Sequence, residues 1–83
     1  MIHLLYFAWV REQLGRDGEV YALAEPMQLA ALLDALSARG GPYATALQDR
    51  SRLRFAVNQD MRGLDWTVRT GDEVAIFPPV TGG

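Results

Sequence analysis

The sequence predicts an α+β domain in which a small mixed sheet carries one main helix packed on one face. Three observations lead there. Leu29, Leu32, Leu33 and Leu36 recur at i, i+3, i+4 and i+7, the spacing of one apolar helical stripe, and no other segment repeats that pattern at such length. Short apolar runs bounded by turn residues stand before and after that stripe, in the order strand, strand, helix, strand, strand. At 83 residues and 49% hydrophobic content, the chain has material for one modest core and no second domain.

The opening MIHLLYFAWV is apolar for ten residues and reads as the first strand, over residues 2–10. It is too short to span a bilayer, and it lacks the leading charge and small-residue cleavage site of a secretion signal; a cytoplasmic protein with no membrane partner is expected. Gly15 and Gly18 flank Arg16-Asp17 as a turn would, and Glu19–Leu23 reads as the second strand of a hairpin. Pro26 suits the first turn of the leucine helix, and Gly40 suits the position just past its end. PYATALQ adds a short helical turn with Pro42 at its start. Arg54–Gln59 reads as a strand, DMRG as a turn and Asp72–Phe77 as the last strand, closed by Pro78-Pro79, which cannot donate to a ladder. The folded unit is therefore residues 1–77, with 78–83 as an extended tail.

The strands do not alternate as a sheet covered on one side should. Ile2, Leu4 and Tyr6 can face the helix, yet Leu5 and Phe7 point the other way; Val74 and Ile76 share one face, Ala75 and Phe77 the opposite one. Either loops cover this second face or a partner docks on it.

Composition excludes several chemistries. A net charge of −2 gives none of the positive field that a phosphate backbone requires, so nucleic acid is not an expected partner. No cysteine is present, which removes thiol catalysis and thiolate metal sites, and His3 is the only histidine. Asp72 and Glu73 are strand neighbours pointing to opposite faces and cannot act as a carboxylate pair. All eight basic residues are arginine. No metal site is expected, and no internal side-chain constellation makes an active site.

That leaves the terminal FPPVTGG. Two prolines favour a stiff, extended start, Val80 and Thr81 prefer extended backbone, and Gly82-Gly83 removes every side chain beside the terminal carboxylate. The residues alone are equally consistent with a frayed end and with a working arm.

FPPVTGG at the end of the chain, preceded by GDEVAI and VNQ, with YFAWVRE near its start, resembles the molybdopterin synthase small subunit, the MoaD family of ubiquitin-like sulfur carriers. The resemblance implies a β-grasp fold and a chain that is catalytic only within a heterotetrameric synthase. It implies that Gly83 is adenylated and converted to a thiocarboxylate, which gives its sulfur to cyclic pyranopterin monophosphate to form the molybdopterin dithiolene. By the same resemblance Gly82 gives clearance in a narrow channel. Phe7, Arg11, Met61, Phe77, Pro78, Pro79, Val80 and Thr81 meet partners, with Met61 standing where the family usually has leucine. The implied partners are a MoaE-like large subunit, a MoeB-like E1 adenylating enzyme and a sulfur-donor protein. This chain itself binds no cofactor; ATP and Mg²⁺ belong to the adenylating partner. A related carrier for thiamin or tRNA thiolation, or a ubiquitin-like protein modifier, would share the same tail, although a chain without lysine cannot itself grow lysine-linked chains.

Overall fold

Ala8 divides the opening apolar run into two elements in the computed structural model, which describes residues 1–79. Strand β1 covers Ile2–Tyr6 and helix α1 covers Ala8–Leu14, so the expected strand to residue 10 is corrected. The break lies at Ala8, whose φ of 52° is left-handed and turns the chain out of the strand within one residue. Beyond it Val10 and Leu14, at i and i+4, are the buried residues of α1, while Arg11, Glu12 and Gln13 face solvent. Gly15, at φ 72°, ends the helix by donating its N–H to the Arg11 carbonyl.

Strand β2 (Gly18–Tyr21) returns antiparallel to β1, so the two expected strands do pair, but α1 lies between them in sequence. Gly18 is required where it stands: a Cβ would collide with the Leu4 carbonyl oxygen. Next come β3 (Met27–Gln28) and α2 (Leu29–Ser37). Pro26 thus precedes β3 rather than opening the helix. Gly40, at φ 78°, is the N-cap of α3 (Gly41–Leu47), because α2 has already closed at Ala38.

A 3₁₀ turn (Arg50–Arg52) leads into β4 (Arg54–Val57), and β5 (Asp60–Arg62) follows directly. The segment expected as a turn is therefore strand. The reversal comes earlier, at Asn58 and Gln59, whose φ values of 52° and 73° make a two-residue hairpin turn between the paired Val57 and Asp60. Strand β6 (Thr67–Val68) pairs with β3 in a small second sheet. The last strand, β7 (Glu73–Phe77), enters the main sheet between β1 and β4.

The main sheet has the order β2-β1-β7-β4-β5, parallel between β1 and β7 and antiparallel elsewhere. All the helices pack on one face. Ile2, Leu4 and Tyr6 from β1 and Val74 and Ile76 from β7 meet Leu29, Leu32, Leu33 and Leu36 of α2 in one buried cluster with Val10 and Leu47. Each leucine so buried contributes roughly 1.5–3 kcal/mol, which makes the α2 stripe the main support of the fold.

One polar group is drawn into that packed side. Glu19 of β2 accepts from Tyr6 Oη at 2.8 Å, Tyr43 Oη at 2.6 Å and Arg39 Nη1 at 2.7 Å. The Arg39 guanidinium also lies over the Tyr43 ring, 4.9 Å from its centroid, so one carboxylate ties β2 to the ends of two helices. Burial alone would raise the Glu19 carboxyl, but the three donated hydrogen bonds outweigh it and hold the group below the ordinary glutamate value. Both tyrosine hydroxyls are pushed up, first by burial and then by the adjacent carboxylate.

Candidate functional site

The face of the sheet away from the helices is built by register. Gly18, Leu5, Ala75, Ala56 and Met61 lie opposite one another across β2, β1, β7, β4 and β5 and form a single row on that face. Small side chains occupy the central strands and larger ones flank them, so the row is a shallow apolar trough floored by Ala75 and Ala56. Among the described residues no helix or strand crosses it. Met61 is 59% exposed and Phe7 46%, so among the described residues no loop covers these two side chains, which speaks against loop cover and for a docking face.

Phe7 and Phe77 stand together at one end. Tyr6 pairs with Ile76 in the parallel β1–β7 ladder, and Phe7 is extended (φ −128°, ψ 158°), so its side chain continues the outward alternation beside Phe77. His3, Val20 and Glu73 make up the opposite end, where polar groups return. The trough is thus most apolar where β7 leaves the sheet.

Arg11 is exposed on α1, and among the described residues no carboxylate lies within ion-pair distance of it. Its charge sits in the last turn of α1, where the helix dipole favours a cation. Pro78 and Pro79 follow Phe77, are half-buried, and line one groove with Trp9, Ser51 and Arg52. Val80, Thr81, Gly82 and Gly83 lie outside the described residues. The structure therefore brings Phe7, Met61 and Phe77 to the outer face of the sheet, with the proline pair following at the end of β7 and Arg11 exposed on α1.

Two features of this side escape a reading of the sequence. Ala56 completes the trough floor, and the alternation of Phe55 and Val57 around it was the available signal. Trp9 and Arg52 meet at the tail root with the guanidinium 4.9 Å from the ring centroid, a pairing of residues 43 positions apart that no local pattern encodes. Asn58 also gains a reason. Its Nδ2 donates to Asp72 at 2.9 Å and its Oδ1 accepts from the Glu73 N–H at 3.0 Å, so the hairpin turn fixes the start of β7.

No helix among the described residues is long and apolar enough to cross a membrane. Comparison with known proteins is consistent along the whole chain. The ThiS family model matches residues 4–83. The molybdopterin synthase sulfur carrier subunit of Escherichia coli is 45% identical over 83 residues, covering 100% of both chains. The sulfur carrier subunit of Haemophilus influenzae is 39% identical over 87 residues, again covering 100% of both. Among solved structures, SAMP1 from Haloferax volcanii superposes with a TM-score of 0.76 at 25% identity, covering 99% of this chain and 98% of that one. The architecture is accordingly the ubiquitin-like β-grasp. A five-stranded sheet with one bare apolar face, sequence identity over the full length and a family match that runs to the final glycine agree: this chain belongs to the ThiS family and, within it, to the MoaD group of molybdopterin synthase sulfur carrier subunits.

Proposed function

We propose that this chain is the sulfur-donating small subunit of a molybdopterin synthase, with the Gly83 carboxylate as its reactive group. The observation that carries the reading is the coincidence in one place of the uncovered Phe7–Phe77 end of the sheet and the point where β7 gives way to Pro78-Pro79. A partner seated on that face holds the root of the segment that ends in Gly82-Gly83. Side-chain-free residues there let the carboxylate enter a narrow site without a Cβ clash.

The chemistry follows from the poor reactivity of a carboxylate. On an E1-like adenylating partner with ATP and Mg²⁺, the Gly83 carboxylate attacks the α-phosphorus, pyrophosphate leaves, and an acyl-adenylate forms with a good leaving group. A persulfide on a donor protein attacks the acyl carbon and AMP departs; a second thiol of that donor then cleaves the acyl disulfide, forming a disulfide in the donor and leaving a thiocarboxylate on Gly83. In the large subunit that sulfur, a better nucleophile than oxygen, attacks a carbon of the pyranopterin precursor and displaces its oxygen substituent. Hydrolysis of the resulting acyl–sulfur bond returns the carboxylate and leaves sulfur on the product. Each carrier brings one sulfur, so a dithiolene consumes two. None of these steps needs a side-chain nucleophile on this chain, which suits a protein without cysteine.

Incubating the thiocarboxylated protein with a purified MoaE-like subunit and cyclic pyranopterin monophosphate tests the reading. Molybdopterin formation is expected. No product, with sulfur transfer instead to a thiamin precursor or to tRNA, would assign the chain to another carrier pathway.

A further inference from the structure

The two prolines that end the sheet also remove the means by which a sheet would aim the chain beyond it. Neither Pro78 nor Pro79 has an N–H, so no further ladder hydrogen bond can be donated to a neighbouring strand. Side chains must set the direction. The neighbours of β7 in the sheet are β1 on one side and β4 on the other. Trp9 comes from the β1 side, carried by α1 just past the left-handed Ala8. Arg52 comes from the β4 side: it closes the 3₁₀ turn that leads into β4, whose first residue, Arg54, pairs with Phe77 at the end of β7. A contact between Trp9 and Arg52 therefore joins the elements that flank the end of β7. They make that contact, with Arg52 over the indole at 4.9 Å, and the two residues line one groove with Ser51, Pro78 and Pro79.

We infer that the Trp9–Arg52 stack is a bracket across the tail root that sets the direction in which the terminal segment leaves the domain, making Trp9 and Arg52 positioning residues for adenylation of Gly83. The inference rests on the sulfur-carrier reading. It also divides labour on this side of the molecule. The trough with Phe7, Met61 and Phe77 holds a partner, whereas the bracket determines how often the terminal carboxylate is aimed into the partner's site once docked. Loss of the bracket therefore slows the docked complex without weakening docking. The left-handed φ of Ala8 fits this division, since it keeps Phe7 on the outer face while swinging Trp9 to the tail root.

ATP–pyrophosphate exchange by a purified E1-like adenylating enzyme, with the full-length carrier as the varied substrate, separates the two effects. Trp9→Ala is expected to lower kcat about tenfold or more, the scale on which small misplacements of a reacting group act, with KM within about twofold of the native value. Arg52→Ala should do the same to a smaller extent, and Trp9→Phe, which keeps an aromatic face for Arg52, should recover most of the loss. Destabilisation cannot mimic this pattern: the carrier is the substrate, so a smaller folded fraction raises the apparent KM and leaves kcat alone. An unchanged kcat in Trp9→Ala, a rise in KM alone, or no recovery in Trp9→Phe would overturn the bracket while leaving the carrier reading intact. Absence of exchange with the native protein would overturn the carrier reading, and the bracket with it.

Discussion

Replacing Glu19 by glutamine removes one charge from the packed side of the sheet while keeping the side chain's shape. In the native protein Oε2 accepts from both tyrosine hydroxyls, and Oε1 accepts from Arg39. Glutamine has one carbonyl oxygen and an amide NH₂, so it cannot accept on both sides. With its oxygen toward the tyrosines, its NH₂ confronts Arg39; turned round, its NH₂ confronts Tyr6 Oη, whose own proton loses its acceptor. Tyr6 is 1% exposed, so water does not compensate. A hydrogen bond to a charged group contributes about 1.5–3 kcal/mol against about 0.5–1.5 for a neutral one. Two tyrosine bonds lose about 1 kcal/mol each on this scale, and the partly exposed Arg39 adds less because solvent screens it, giving a loss of about 2–3 kcal/mol at pH 7. The pH dependence has a definite sign. Because the folded-state pKa of Glu19 is lowered, the unfolded chain takes up a proton first as pH falls through about 4.3, and native stability declines from there down through the folded value. The glutamine variant has no such loss at this position. Urea unfolding at pH 7 and pH 3 should therefore show a gap of about 2–3 kcal/mol that narrows in acid. A gap of the same size at both pH values, or none at pH 7, would refute the assignment of the carboxylate as the organising acceptor.

Phe7→Ala should weaken association with the large subunit by about 2 kcal/mol in a calorimetric titration, as truncation of an exposed aromatic anchor does, while moving the melting temperature little; a large fall in melting temperature with unchanged affinity would show that the ring supports the core instead. Gln59→Gly should stabilise the domain by about 0.5–1 kcal/mol, since a left-handed residue with a side chain costs about 1–2 kcal/mol and glycine's greater freedom when unfolded offsets part of the relief. Thermal unfolding should rise by several degrees, about 4–8 °C per kcal/mol for a domain of this size, and an unchanged or lower midpoint would contradict the turn assignment.

The leucine stripe of α2 and the alternation in β1 and β7 were legible because each is a local period imposed by one buried face. Leu29, Leu32, Leu33 and Leu36 are all fully buried, and Phe7 and Phe77 do stand outward beside each other. Helix α1 was hidden by composition. Residues 2–10 are apolar apart from His3, and the change of period shows only in the Val10–Leu14 spacing and the glycine after it. Strand β5 was read as a turn because Gln59 carries no turn signature; its left-handed backbone is imposed by the pairing of Val57 with Asp60. Strands β3 and β6, two residues each, are too short for any period to register. The Glu19 cluster joins positions 6, 19, 39 and 43, and the Trp9–Arg52 stack joins positions 9 and 52. Such contacts exist only once the sheet order has brought their elements together.

Intact-mass measurement after incubation with an E1-like adenylating enzyme, ATP, Mg²⁺ and a sulfur donor tests the central claim most directly, because exchange of one oxygen for sulfur adds about 16 Da to any protein whose terminal carboxylate has been activated. Three proteins suffice: the native chain, one lacking Gly82 and Gly83, and one with a single alanine appended after Gly83. The native chain should gain the sulfur and the other two should not, since each displaces the carboxylate from the position the activating site receives. Sulfur gained normally by the extended protein, or none gained by the native one, would contradict the assignment of Gly83 as the reactive end.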